Sequence, residues 1–175
     1  MKTNAKSGFT LIEMIAVLLI IALVAAASTA GLSKAKDKAW RTQARELCRQ
    51  LNEAWNAYLV DERKFPSELG AAKGLEAKYN NIKYLAGANE SDKVYIELTD
   101  KEKGTGSDGG LRDHWNGMIY FSLDADYDGK VDNPAPEARA VDDDDKAALA
   151  TVTASSISWS KGKDPQRKKK WIVVW

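Results

Sequence analysis

The sequence predicts an α+β fold in which one long N-terminal helix lies against a small antiparallel sheet. Three observations predict it. Apolar residues fill Phe9 to Ala30 almost without interruption, an apolar stripe then continues at helical spacing to Tyr58, and strand-like runs appear only later in the chain. At 175 residues the chain has room for one domain plus an anchor, not two full domains.

Between Phe9 and Ala30 the only ionisable side chain is Glu13. A helix over this stretch reaches roughly 33 Å, enough to cross the hydrocarbon core of a bilayer, and a backbone in lipid must satisfy its own hydrogen bonds. Lys2 and Lys6 precede the segment, so the positive-inside rule places the N-terminus in the cytoplasm. A carboxylate at membrane depth needs a partner. No Lys, Arg or His is available within the helix, but a chain cut after Gly8 would place the new α-amino group of Phe9 one turn from Glu13, in the same or a neighbouring copy. An ammonium and a carboxylate, each costly alone in lipid, compensate each other. Glu13 and Phe9 thereby become assembly residues that set register between subunits.

Gly8-Phe9-Thr10-Leu11-Ile12-Glu13, behind a short Lys-containing leader and ahead of an apolar run, resembles the class III signal of type IV prepilins and type II secretion pseudopilins. The resemblance implies a pilin-like fold, cleavage between Gly8 and Phe9 by a prepilin peptidase, N-methylation of Phe9 and packing of many copies into a helical filament. The bounds it implies are a leader over 1–8, a transmembrane and filament-core helix over 9–31, an amphipathic half over 32–60 and a globular periplasmic α+β domain over 61–175. An ordinary secretory signal fits less well, because its cut site follows the apolar region, although Ala25-Ala26-Ala27-Ser28 mimics one.

Formal net charge is +1 and falls to about −1 once Lys2 and Lys6 leave with the leader, a balance without any global pull toward nucleic acid. Cys48 is the only cysteine, which excludes an intrachain disulfide.

Trp40, Ala44, Leu47, Leu51, Trp55 and Tyr58 recur at spacings of three and four, with Arg41, Arg45, Arg49 and Glu53 between them. The helix should therefore run on to about Val60 and end before Pro66, with its tryptophans in the core. Residues 61–92 read as loop, with a short helix over Ser67 to Tyr79. Strands are expected over Lys93 to Leu98, Met118 to Leu123, about Ser155 to Ser160, and Trp171 to Trp175, with a flexible turn from Gly104 to Gly110.

Asp124, Asp126, Asp128 and Asp132, with Gly129 at the sixth place and the Lys130 backbone carbonyl at the seventh, follow the loop spacing of an EF-hand calcium site. Carboxylates on alternate residues converge where a glycine permits the turn, and a hard cation neutralises their repulsion. Ala135 occupies the place of the usual bidentate Glu; Glu137 or one of Asp142 to Asp145 would have to substitute. The plainer reading is a hairpin turn at Asp128-Gly129 with solvated acids around it.

The same half of the chain resembles the globular part of the major pseudopilin and its relatives. Asp113 and Trp115 match an Asp-Pro-Trp-Gly-Asn-Pro-Tyr segment from which His114, Asn116 and Met118 depart. Ser160, Gly162 and Asp164 match a Ser-x-Gly-x-Asp-Gly segment that helps hold calcium in the family, but Pro165 and the block Arg167 to Lys170 replace its Gly and acids. A metal is therefore expected at Asp124 to Asp132 instead. His114, the only histidine, supports neither a zinc site nor a Ser–His pair, and no phosphate loop is present. Asp142 to Asp145 and Arg167 to Lys170 are expected to be solvated, or to attract each other weakly.

The function expected is that of a non-catalytic subunit of a type II secretion pseudopilus. It would meet a prepilin peptidase and an inner-membrane assembly platform, and pack with itself and other pseudopilins. The alternatives are a type IV pilin or minor pilin, working in adhesion, motility or DNA uptake, and a membrane-anchored calcium-binding module that never polymerises.

Overall fold

Nothing in the sequence interrupts a helix between Leu11 and Glu62: proline is absent, and Gly31 is the one glycine. The computed structural model describes residues 9–70, 73–104, 109–140 and 142–175, and in it α1 spans Leu11–Glu62. It stops where Arg63 turns left-handed (φ 63°), its N–H still bonded to the Leu59 carbonyl at 3.0 Å. Pro66 follows three residues on and cannot resume the ladder. The chain forms two compact units, residues up to Ala39 and residues from Trp40 to Trp175.

In the second unit α1 packs on a four-stranded antiparallel sheet. Its strands are β1 (Leu75–Glu76), β2 (Ile119–Leu123), β5 (Ser156–Ser160) and β6 (Ile172–Val174), in the order β1-β2-β5-β6. A separate ribbon pairs β3 (Lys130–Asp132) with β4 (Thr151–Thr153), and the short helices α2 (Tyr79–Ile82) and α3 (Asp143–Ala148) lie in the connections. Alternation along the strands sorts the side chains. Ile119 and Phe121 of β2 turn to α1, where they meet Leu51, Trp55 and Leu85. Ile157, Trp159 and Val173 turn to the other face and form a second core with Val131 and Val152 of the ribbon. Trp55 is fully buried, 5.3 Å from Phe121 and edge-on to Tyr58 and Phe65.

β5 reads Ser-Ile-Ser-Trp-Ser, and all five residues are buried. Its serines face α1, and one helix residue satisfies two of them. Asn52 accepts from the hydroxyls of Ser158 and Ser156 through Oδ1, while its Nδ2 donates to the Val174 carbonyl at 2.8 Å. A buried polar stripe is tolerated because its groups find partners.

Three of the expected strands stand within a residue or two of their expected bounds, at β2, β5 and β6. The expected strand over Lys93 to Leu98 does not. Only Val94 bridges, to Ala86, while the N–H groups of Tyr95 and Ile96 both reach the Leu85 carbonyl. Two forces hold this segment off the sheet. The free side of β2 is occupied by β1 (Leu75↔Phe121), and Tyr95 is drawn onto Tyr58 of α1 at 5.4 Å between ring centres. The helix expected over Ser67 to Tyr79 is also replaced, by a 3-10 turn at Ser67–Leu69, then β1, with α2 starting only at Tyr79. Gly74, at φ 74°, leaves the helical region there. The turn expected from Gly104 to Gly110 falls largely on residues 105–108, outside the described residues.

Candidate assembly and metal sites

The leader and Gly8 lie outside the described residues. At the first described residues, Thr10 and Glu13 form a capping box. The Glu13 carboxylate accepts from the Thr10 backbone N–H and from its hydroxyl, both at 2.8 Å, and the Glu13 N–H donates back to the Thr10 hydroxyl at 3.3 Å. Thr-x-x-Glu ahead of an apolar run is the sequence signature of this motif, and it assigns Glu13 a partner within its own turn. Beyond it Phe9, Leu11, Ile12, Leu18 and Leu23 are exposed, an unpartnered apolar surface. Among the described residues no helix is long and apolar enough to cross a membrane. The apolar part of α1 with described side chains, 11–26, covers ~24 Å against a hydrocarbon core of ~30 Å.

At the acidic loop, Asp124, Asp126 and Asp128 each bring a carboxylate oxygen within 4.8 Å of the others. The turn that does this is built on Asp124, which is buried and accepts from the N–H of Asp128 (3.1 Å) and of Gly129 (2.9 Å). Gly129 takes φ 78°, and Tyr127 is forced to φ 59°, a conformation that costs a side-chain-bearing residue roughly 1–2 kcal/mol. Two contacts offset that strain. The Tyr127 hydroxyl accepts from the Phe65 N–H at 2.8 Å, and its ring stacks on Phe65 at 6.0 Å. Tyr127 thus ties the loop to the segment after α1, a role that spacing alone does not reveal. Asp132 is apart from the three, on β3, ion-paired with Lys73, and the Lys73 ammonium also faces Asp126. The loop is no hairpin between β2 and β3, because β3 pairs with β4. Glu137 sits in the 3-10 turn Pro136–Ala138, and Asp142 caps α3 by accepting from the Asp145 N–H.

Burial pushes the Asp124 carboxyl above its ordinary value; the Gly129 and Asp128 N–H groups oppose the shift, while Asp126 and the charge of Asp128 add to it. Three converging carboxylates are hard oxygen donors of the kind that hold calcium, and the free lone pairs of Asp124 remain available beside its two backbone bonds. The donor set fits such a cation.

Residues 3–29 match the family described as the prokaryotic N-terminal methylation motif. The chain carries a type IV prepilin-like processing motif. No curated protein matches the chain, and no solved structure does. The methylation motif implies an inner-membrane-anchored prepilin, processing by a prepilin peptidase and assembly into a filament, and it heads the long helix of an α+β pilin-like fold.

Away from the motif, two sequence segments meet. Asp113 is buried at 7 % exposure, and its carboxylate accepts from the Trp115 N–H (2.9 Å), the Gly117 N–H (2.8 Å) and the Ser160 hydroxyl (2.5 Å). Ser160 in turn accepts from the Gly162 N–H at 2.9 Å. Asp113, Trp115, Ser160 and Gly162 form one knot at the end of β5. His114 is exposed and stacks flat on Trp40 at 5.7 Å, with Trp115 edge-on to the same indole. Cys48 is fully buried beneath; burial pushes its thiol far above the usual range, and the Asp113 charge adds to the shift. Arg167 and Lys170 pair with Asp164, not with Asp142 or Asp145.

Proposed function

We propose that this chain is a structural subunit of a type II secretion pseudopilus, trimmed after Gly8, methylated on Phe9 and assembled into a periplasmic filament from the inner membrane. The observation that carries the reading is the methylation motif at the head of a helix whose apolar side chains stand exposed. Such a surface is stable in lipid or against like helices of other subunits, so one segment serves the protein before and after assembly. Glu13 would exchange its Thr10 contacts for the new amine of Phe9 in its own or a neighbouring copy. Secretion is favoured over a pilus because Asp113–Trp115 and Ser160–Asp164, the segments that resemble the major pseudopilin, are hydrogen-bonded to each other, and because a single cysteine cannot close a C-terminal disulfide loop.

Calcium would sit between Asp124, Asp126 and Asp128, with the Lys130 carbonyl. Asp132 would join only by leaving Lys73. When bound, the ion would supply charge neutralisation and hold the loop; it takes part in no reaction.

Expression of the precursor with and without a prepilin peptidase, followed by mass spectrometry of the intact chain, tests the reading. A product beginning at Phe9 and carrying one extra methyl is expected. A chain that keeps its leader beside an active peptidase would overturn it.

A further inference from the structure

Strand register and the Asp113 knot decide which groups share one end of the globular unit. Ser160, the last residue of β5, stands opposite Ile119, the first of β2, and opposite Ile172, the first of β6. The loop 161–171 therefore opens and closes at that end of the sheet. Asp113 ties the Trp115 turn to the same place through the Ser160 hydroxyl, and Gly162 joins through its N–H at 2.9 Å. Trp40, where the unit begins, meets this turn as well, with His114 stacked on its indole and Trp115 edge-on to it. The chain arriving from the apolar segment thus enters the unit at the Trp115 end. The acidic loop opens from the other end of β2, where Tyr127 reaches Phe65.

The entry end is rich in cations and indoles. The loop 161–171 holds six Lys and Arg residues against one acid, Asp164, which Arg167 and Lys170 take at 3.3 and 3.4 Å. Lys161 and Lys163 flank the buried Gly162 and so leave from beside the knot. Lys163 is exposed, and the Lys161 ammonium lies 4.1 Å from the Tyr120 ring centre and 5.6 Å from that of Trp171. The later part of the loop adjoins the acidic segment, because Pro136–Ala138 packs on Lys168–Lys170. Arg139, at the end of that turn, offsets its one acid, Glu137. Arg41 and Arg45 follow Trp40 on α1, and Trp40, Trp115 and Trp171 are all half-buried, each with part of its ring accessible.

Partly accessible indoles among Lys and Arg are the chemistry of a membrane–water interface. The rings sit at headgroup level with one part dry and one part wet, and the cations are drawn to anionic lipid. The connection to the anchor favours lipid as the occupant. Nine residues, 31–39, join Ala30 to Trp40; they add Lys34, Lys36 and Lys38 against Asp37, and reach at most ~36 Å even when extended. An anchored α1 therefore keeps this end close to headgroups, and a contact made within a tethered molecule needs little affinity of its own. We infer that the end of the globular unit around Trp40, Trp115, Lys161 and Lys163 docks on the anionic headgroups of the membrane that anchors the chain. The contact holds the unassembled subunit against its membrane and is released when the subunit enters a filament. This inference rests on the anchored-prepilin reading and names the lipid-facing surface of that subunit.

All six tryptophans lie in the unit from Trp40 on, so their quenching by a nitroxide carried on a lipid headgroup reports this unit alone. The full chain is reconstituted in phosphatidylcholine vesicles with and without about 30 % phosphatidylglycerol, each holding a trace of the labelled lipid. Quenching should be about twofold stronger with phosphatidylglycerol and should drop to the neutral-lipid level in roughly 0.5 M salt. K161E/K163E should lose the gain, and so should R41E/K163E, which leaves the ring contacts of Lys161 in place; K161R/K163R should keep it. W40F/W115F should lose most of the quenched emission, whereas W175F, at the other end of β6, should lose little. If the chain floats with the vesicles but its quenching ignores lipid charge, or both charge-reversal variants behave as the wild type, the docking is wrong and the anchored reading stands. If the chain does not float with the vesicles, both fail. If the gain vanishes when the protein is diluted about tenfold in lipid, this end covers a second copy instead and the inference is overturned.

Discussion

Replacing Asp113 by Ala removes the acceptor for three donors at once. Two are half-buried backbone amides, of Trp115 and Gly117; the third is the fully buried Ser160 hydroxyl. An orphaned donor costs roughly 1–3 kcal/mol, with the low end for groups that water can still reach. Taking ~1 for each amide and ~2 for Ser160 gives ~4 kcal/mol, a large share of a typical total of 5–15. Unfolding entropy of about 2.1 cal/mol/K per residue over the unit from Trp40 onward turns this into a fall in Tm of about 14 °C. Asp113→Asn keeps an oxygen for the two amides and loses only the Ser160 acceptor, so it should cost ~1–2 kcal/mol, about 5 °C. Thermal unfolding of the full chain in detergent, followed by tryptophan fluorescence, measures both. If Asp113→Ala moves Tm by less than about 3 °C, or if Asn is as damaging as Ala, the knot is not held by these bonds and the reasoning fails.

Other outcomes follow from single contacts. Cys48 should resist alkylation in the folded chain and react fully in denaturant, because burial holds the proton on its thiol; fast labelling of the native protein would contradict its placement. Asp124 keeps its proton more tightly folded than unfolded, so its contribution to stability is fully present below the ordinary aspartate value of ~3.9 and is lost as pH rises through the raised folded value. Tm of Asp124→Asn minus that of the wild type should therefore rise with pH across that window in chelator, and millimolar calcium should raise the wild-type Tm alone. Tyr127→Phe should remove the Phe65 bond for ~1 kcal/mol, and Tyr127→Ala should additionally weaken any calcium-induced shift in Tm, since the loop loses its anchor. Thr10→Val deletes one half of the capping box and should lower the yield of assembled filaments relative to Thr10→Ser, as scored by cross-linking in membranes.

Long-period patterns were legible in advance: α1 from its uninterrupted stripe, and β2, β5 and β6 from runs bounded by turn residues. The segment Lys93 to Leu98 misled because its alternation, read locally, says only that one side is buried; α1 and Leu85 do the burying, and β1 already holds the place beside β2. A two-residue strand such as β1 is below the length at which any periodicity exists. Spacing did bring Asp124, Asp126 and Asp128 together as expected, since residues two apart around a glycine turn converge. The fate of Asp132 depended on Lys73, fifty-nine positions away in the chain, and no local pattern carries that. At Glu13 the Thr-x-x-Glu spacing carries a further signal: the hydroxyl and N–H of Thr10, three residues before it, bind the carboxylate within one turn.

Asn52 has a consequence for load. Its amide grips the sheet at a backbone carbonyl and at two serines on a neighbouring strand, so the helix is keyed to the sheet instead of greased against it. A purely hydrocarbon seam resists such rolling only through the fit of its side chains. With the key in place, turning the rod past the sheet must also break three polar links, two of them buried. A twist delivered to this part of the rod is therefore passed on to the strands without slippage.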